Sequence, residues 1–243
     1  MAANKTYPIL YIFCLLVFSA FNSKAKNTSF GFVENNGQIL NQNRKPNNEV
    51  LFVYNQNNFQ IQLTKTGFSY QILKLDQNTT LASNKISARF EPTHLNAHFI
   101  YHRVDVSFKN GNPHFDVEKL NKLGSELNVY NEYTPFNGFE HIYHFGKIIY
   151  HNIYPGIDIE FSCEPAFKYN FIVHPGAQIK DIQLAYKGGN QTKLIEQNQC
   201  LIETSLGPIV EKIPMSYLIH HQPNEQQNIN VSFHKHINLA YFG

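Results

Sequence analysis

The chain has 243 residues, 42% hydrophobic and 16% charged, enough apolar content for a real core. Basic residues number 20 against 18 acidic, a formal net charge of +2, and no basic tract is interleaved with aromatics. That excludes nucleic-acid binding through an electrostatic footprint. Phe (20) and Tyr (14) are abundant while Trp is absent, a balance that favours strands over helices.

The N-terminus carries a signal-peptide pattern. Lys5 supplies a basic start, and "ILYIFCLLVF" from Ile9 to Phe18 is an uncharged apolar run. Ser23-Lys24-Ala25 places small residues at the two positions that a cleavage after Ala25 requires. The run is shorter than the roughly 20 apolar residues of a membrane-spanning helix. Cys14 follows Ile12 and Phe13 rather than small residues, which excludes a lipid-attachment site. The expected organisation is a leader over 1–25 and an exported β-rich domain over 26–243. Without Lys5 and Lys24 the basic residues fall to 18, matching the 18 acidic ones.

Beyond the leader, Phe30 to Ile39 reads as a short strand ending in an Asn-Asn-Gly turn. Leu40 to Asn48 is a polar loop with Pro46, and Glu49 to Asn55 an apolar strand. Phe59, Ile61 and Leu63 alternate with polar residues, "TKTG" turns the chain, and Phe68, Tyr70 and Ile72 resume the alternation. Period two on both arms predicts a hairpin. Asp76 to Lys85 is a loose loop, and Phe99 to Pro113 a strand with a turn. Asp116 to Leu127 has some helical look, interrupted by Gly124 and worth a turn or two. The Asn-, Gly- and Pro-rich stretch that follows suggests a subdomain break near 121–139.

The C-terminal half reads as successive short strands. They are Ile142–Tyr150, Ile157–Cys163, Phe167–Val173, Ile182–Tyr186, Cys200–Thr204, Ile209–Lys212, Tyr217–His220 and Ile229–Phe233. Turn chemistry separates them. The expected fold is therefore all-β, an antiparallel sandwich-like domain with two β subdomains as one option and very little helix.

Asp158 and Glu160 are the first candidates for chemistry. Alternation puts them on one face of a strand, with Ile157, Ile159 and Phe161 on the other. A hairpin centred on Pro165 sets Phe161 opposite Tyr169, Ile159 opposite Phe171, Glu160 opposite Asn170 and Ser162 opposite Lys168. Lys168 is then diagonal to Glu160. Structural pairing of this kind competes with catalysis and ion binding, and it needs no function. No catalytic residue is assigned.

Twelve histidines invite a metal reading. His94, His98 and His102 are four apart, but on a strand that is about 13 Å, too far for one zinc. His141 and His144 fall on opposite faces, and His234 and His236 lack a third ligand. No metal or other cofactor is expected. G-x-S-x-G, P-loop and dinucleotide-turn motifs are missing. A cysteine-hydrolase pairing of Cys163 with His174 has no supporting motif. Export permits a disulfide between Cys163 and Cys200, although two separate buried thiols are the simpler reading. Tyr130, Tyr133 and Phe136, in "NVYNEYTPF", are candidate ligand-contact aromatics that could stack on a glycan.

Several ordered stretches resemble one family. They include "FVENNGQI" (Phe32 to Ile39), "GFSY" (Gly67 to Tyr70), "YHRVDVSFKNGNP" (Tyr101 to Pro113), "GKIIYHNIYPGIDIEF" and "KYNFIVHPGA" (Lys168 to Ala177). "IQLAYKG" (Ile182 to Gly188) and "TSLGPIVEKIPMSY" (Thr204 to Tyr217) complete the order. Together they are similar to an uncharacterised N-terminal β-rich domain of large secreted Bacteroidota proteins. The resemblance implies neighbours such as SBBP-type β-propeller repeats, PKD-like modules and a gliding-motility or type IX secretion sorting domain. It supplies no catalytic residues. The chain stops at Gly243 without those modules, although "LAYFG" (Leu239 to Gly243) looks like the start of a propeller repeat.

The expected role is a non-enzymatic exported or cell-surface structural or adhesion-type module, the N-terminal part of a larger surface architecture. Its partners would be other modules, a protein or a glycan, with no nucleic acid and no membrane span in the mature chain. A carbohydrate-binding module is the alternative, and a secreted hydrolase a weaker one.

Overall fold

The computed structural model describes residues 9–17, 31–76, 99–130, 138–196, 198–213, 216–219, 226–236 and 239–242. The first half holds β1 (Ile9–Val17), β2 (Phe32–Glu34), β3 (Val50–Gln56), β4 (Phe59–Thr64), β5 (Gly67–Leu75) and β6 (Phe99–Phe108). Two long strands follow, β7 (Asp116–Val129) and β8 (Phe139–Tyr154), and then β9 (Ile157–Ser162) and β10 (Lys168–Val173). A 3-10 turn at Ile179–Asp181 leads into β11 (Gln183–Lys187), β12 (Gln191–Glu196), β13 (Gln199–Glu203) and β14 (Ile209–Lys212). The last are β15 (Ser216–Ile219), β16 (Gln226–Ile229), β17 (Phe233–His236) and β18 (Leu239–Phe242).

All strand pairings are antiparallel, and they join into one curled sheet. The all-β expectation holds. The ladder runs from β12 through β13, β14, β1, β10 and β9 to β8. It continues through β2, β3, β4, β5, β6 and β11 to β18 and β17. Two strands act as branch points. β8 pairs with β7 on one side and with β9 and β2 on the other. β1 pairs with β10 on one side and with β14 and β15 on the other. Among the described residues no helix is long and apolar enough to cross a membrane.

Alternation explains which faces turn inward. Phe59, Ile61 and Leu63 oppose Ile72, Tyr70 and Phe68 in the β4–β5 hairpin, and all six are buried. Gly67 closes its turn where a side chain has no room: a Cβ there would lie 2.0 Å from the Val106 carbonyl oxygen. The curl brings distant strands face to face. Phe68 on β5 packs against Tyr169 on β10 with ring centroids 5.0 Å apart, and against Phe161 on β9 at 5.7 Å. Phe167, Tyr54 and Phe32 extend this aromatic core. Each such ring, fully buried, contributes about 1.5–3 kcal/mol from apolar burial. The two facing layers of a sandwich are thus made by one sheet folded over itself.

Asp116 to Leu127 corrects the helical reading, for this stretch is strand throughout. It pairs with β8 from Asp116↔His151 to Val129↔Phe139, with register shifts around Leu127. Asn121 and Gly124 take positive φ (55° and 59°) inside the strand. The open edge of β8 supplies hydrogen-bond partners that no local pattern reveals. Residues 121–129 therefore belong to β7, and Phe139 opens β8. The apolar run of the leader pattern is also strand: Ile9–Val17 is β1, seated between β10 and the β14–β15 edge.

Candidate functional site

The β9–β10 hairpin has the expected register. Ser162 opposes Lys168, Phe161 Tyr169, Glu160 Asn170 and Ile159 Phe171. Asn170 Nδ2 donates to Glu160 Oε1 at 2.9 Å. A cation on Glu160 comes from β8, outside the hairpin: Lys147 Nζ lies 2.8 Å from Oε2. The Pro165 that centres the hairpin follows a cis peptide bond.

Asp158 and Glu160 have different partners. Asp158 is buried and takes part in a histidine cluster. Its Oδ2 accepts from His174 Nε2 at 2.8 Å and from His151 Nδ1 at 3.2 Å. Its Oδ1 accepts the Asn152 backbone N–H at 2.7 Å. Asn152 has φ +55°, so this carboxylate fastens a positive-φ residue just ahead of the Tyr154-Pro155-Gly156 turn. His174 ties the same turn from the far end, its backbone N–H donating to the Gly156 carbonyl at 2.9 Å. His151 also reaches Glu118 on β7, with Nε2 at 3.0 Å from Oε2.

The electrostatics follow from these contacts. Burial pushes the Asp158 carboxyl up, but hydrogen bonds from His174, Asn152 and His151 outweigh it and hold the group below its ordinary value. Burial depresses His151, yet its bonds to Asp158 and Glu118 leave it above the usual imidazole value. The cluster is a set of charge-assisted bonds at a sheet corner.

A second carboxylate cluster lies in the dry interior. Glu211 on β14 has no solvent exposure. Tyr70 on β5 donates to Oε1 at 2.5 Å, and Tyr169 on β10 donates to Oε2 at 3.1 Å. Tyr186 on β11 also donates to Oε2. Burial pushes Glu211 above the usual carboxylate range, against the downward pull of the three phenols. Tyr186 is pushed well above the phenol range, chiefly by burial and then by the Glu211 charge. Sequence reasoning placed the strand Ile209–Lys212 but passed over its glutamate. The signal was there. Period two puts Glu211 on the same face as Ile209, and Tyr70, Tyr169 and Tyr186 each occupy inward positions that demand a partner for a hydroxyl.

The remaining sequence candidates scatter. Cys163 and Cys200 are both buried as thiols, with no disulfide between them. Cys163 Sγ donates to the Gly146 carbonyl at 3.3 Å, and burial raises its thiol to about 11, which disfavours the thiolate. Cys200 opposes Glu211 across β13 and β14. His102 bridges Ser205 Oγ (2.8 Å) and the Gly188 carbonyl (2.7 Å). His141 pairs with Glu126 at 2.5 Å. Tyr130 is 58% exposed and donates to Glu140 across the end of the β7–β8 hairpin. Tyr133, Phe136, His94 and His98 lie outside the described residues. Among the described residues, no three His, Cys, Asp or Glu are arranged to hold a metal ion.

A family model for a domain of unknown function, DUF7948, matches residues 32–242. The chain belongs to the DUF7948 family. The match begins at the first residue of β2 and ends at the last residue of β18, so the DUF7948 unit covers both carboxylate clusters but starts after β1. No curated protein and no solved structure matches this DUF7948 chain.

Proposed function

We propose that the chain is an exported, non-enzymatic β module, a rigid structural or adhesion-type part of a larger cell-surface architecture. One observation carries the non-enzymatic part of this reading. Every carboxylate oxygen of Asp158, Glu160 and Glu211 is engaged by a donor of this chain. A general acid or base must offer its oxygen to a substrate. These six oxygens are instead used to fasten a turn, a hairpin and two facing walls of the sheet. Export is supported by the leader pattern over residues 1–25. The stretches similar to secreted Bacteroidota proteins support propeller or PKD-like modules as neighbours and a surface location.

The experiment is a broad hydrolase panel on the purified chain beside its Asp158→Asn and Glu211→Gln variants. The expected result is no turnover by any of them. Turnover that disappears in either variant overturns the reading.

Carbohydrate binding is a second reading, favoured by the exposed ring of Tyr130 at the hairpin tip. A glycan array decides it. Binding that Tyr130→Ala removes supports it, and binding that Tyr130→Ala leaves intact counts against this site.

A further inference from the structure

A slot one strand wide runs between β10 and the β14–β15 edge, and β1 fills it. On one side β1 pairs antiparallel with β10, from Leu10↔Val173 to Leu15↔Lys168. On the other, Ile9 to Ile12 pair with β15 and Leu15 to Val17 pair with β14. The same segment is the apolar run of the leader pattern, upstream of the cleavage position after Ala25. Export that removes residues 1–25 therefore removes a strand from the middle of the ladder.

Two facing edges are then left open. Paired strands lie about 4.8 Å apart, so the gap is about 10 Å wide, the room one extended strand takes. The residues along it belong to the interior: Tyr169, Phe171 and Glu211 have no solvent exposure, and Ser216 has 2%. Unpaired backbone N–H and C=O groups beside such a core are costly, and they template another strand. One polar atom on this edge bears on what the slot would take. Ser216 Oγ is buried with no hydrogen-bond partner among the described residues, and its register partner is Ile12, which has no polar side-chain atom to offer.

We propose that this slot is a strand-acceptor site: once the leader is removed, it takes an extended apolar strand of another polypeptide, antiparallel to β10 and in the register of β1. The inference rests on the leader reading above. The occupant is about nine residues long, as β1 is. Positions opposite Val173, Tyr169 and Glu211 are apolar, because those partners face the interior. The position opposite Phe171 and Ser216 carries a hydroxyl. Backbone bonds supply affinity and the alternate side chains supply specificity.

The test uses the full chain expressed with and without export. N-terminal sequencing of the exported protein examines the leader reading by itself. A start at Lys26 supports it, and a start ahead of Ile9 overturns both it and the need for a second strand. Hydrogen exchange then examines the slot. The amides of 168–173 and 209–212 that face β1 should exchange faster in the processed chain than in the unexported chain, on the order of ten-fold or more. Added peptide of the sequence 9–17 with a lysine tail should restore protection, and the same peptide with Cys14→Pro should not. Edges already protected without peptide, or unaffected by it, overturn the proposal, as does a concentration-dependent dimer of the processed chain that closes the slot with a second copy. If the processed chain is recovered only as aggregate, co-export with a carrier displaying the nine-residue strand should restore soluble protein. No restoration overturns the proposal.

Discussion

Asp158 and Glu211 are both buried acids on strands, with 7% and 0% exposure, yet the fold treats them in opposite ways. Asp158 sits at a corner, where a backbone N–H and two imidazoles that can carry charge hold it as a carboxylate. Glu211 sits in the dry interior, where three neutral phenols are its donors. The first is held below its ordinary value and the second above it. Hydrogen-bond count does not decide the direction, since each has three donors. What differs is the charge available to the donors and the depth of burial. One acid stabilises the native state as an anion, and the other is better tolerated as a neutral acid.

The largest effect should come from emptying the interior site. Glu211→Ala leaves three phenols without their acceptor and a cavity behind, a loss of about 3–5 kcal/mol in urea unfolding. Asp158→Ala removes the fastening of the β8–β9 turn, at a loss of about 2–3 kcal/mol. A reversed order would break the contrast between a deep and a marginal site. Tyr70→Phe removes one donor, with a loss of about 1 kcal/mol, and should move the Glu211 titration further up. The smallest effect belongs to Lys147→Ala, whose ion pair with Glu160 is partly solvated. Its loss should stay below about 1 kcal/mol and shrink further in high salt.

Much of this is legible in the sequence alone. The β4–β5 and β9–β10 hairpins follow from period-two alternation, because each strand carries its own record of which face is buried. Glu160 beside Asn170 was readable for the same reason. Lys147 was not, because it arrives from β8, a third strand whose register to β9 is set by pairing rather than by a local pattern. The strand at Asp116–Val129 was misread because Val117, Leu120 and Leu123 recur at near-helical spacing, and only the edge of β8 overrides that preference. The Glu211 site combines residues up to 141 positions apart, joined by the curl of the sheet. Its one local trace was a glutamate on an apolar face.

Stability as a function of pH separates the two sites most directly. Asp158 has a depressed native pKa, so its contribution is present above the ordinary 3.8 and is lost as pH falls through the native value. His151 has a raised one, so its contribution is full below the ordinary 6.5 and is lost as pH rises through the native value. Glu211 is raised above 4.5, so stability declines as pH climbs through its native pKa. Urea unfolding of the parent chain, Asp158→Asn and Glu211→Gln from pH 3.5 to 9 should therefore show two opposite patterns. Asp158→Asn should be less stable, with its widest deficit between about pH 4 and 6.5. Glu211→Gln should match the parent near pH 4 and equal or exceed it at pH 8. A Glu211→Gln chain that is markedly less stable than the parent at pH 8 would contradict the assignment of Glu211 as an acid better tolerated neutral.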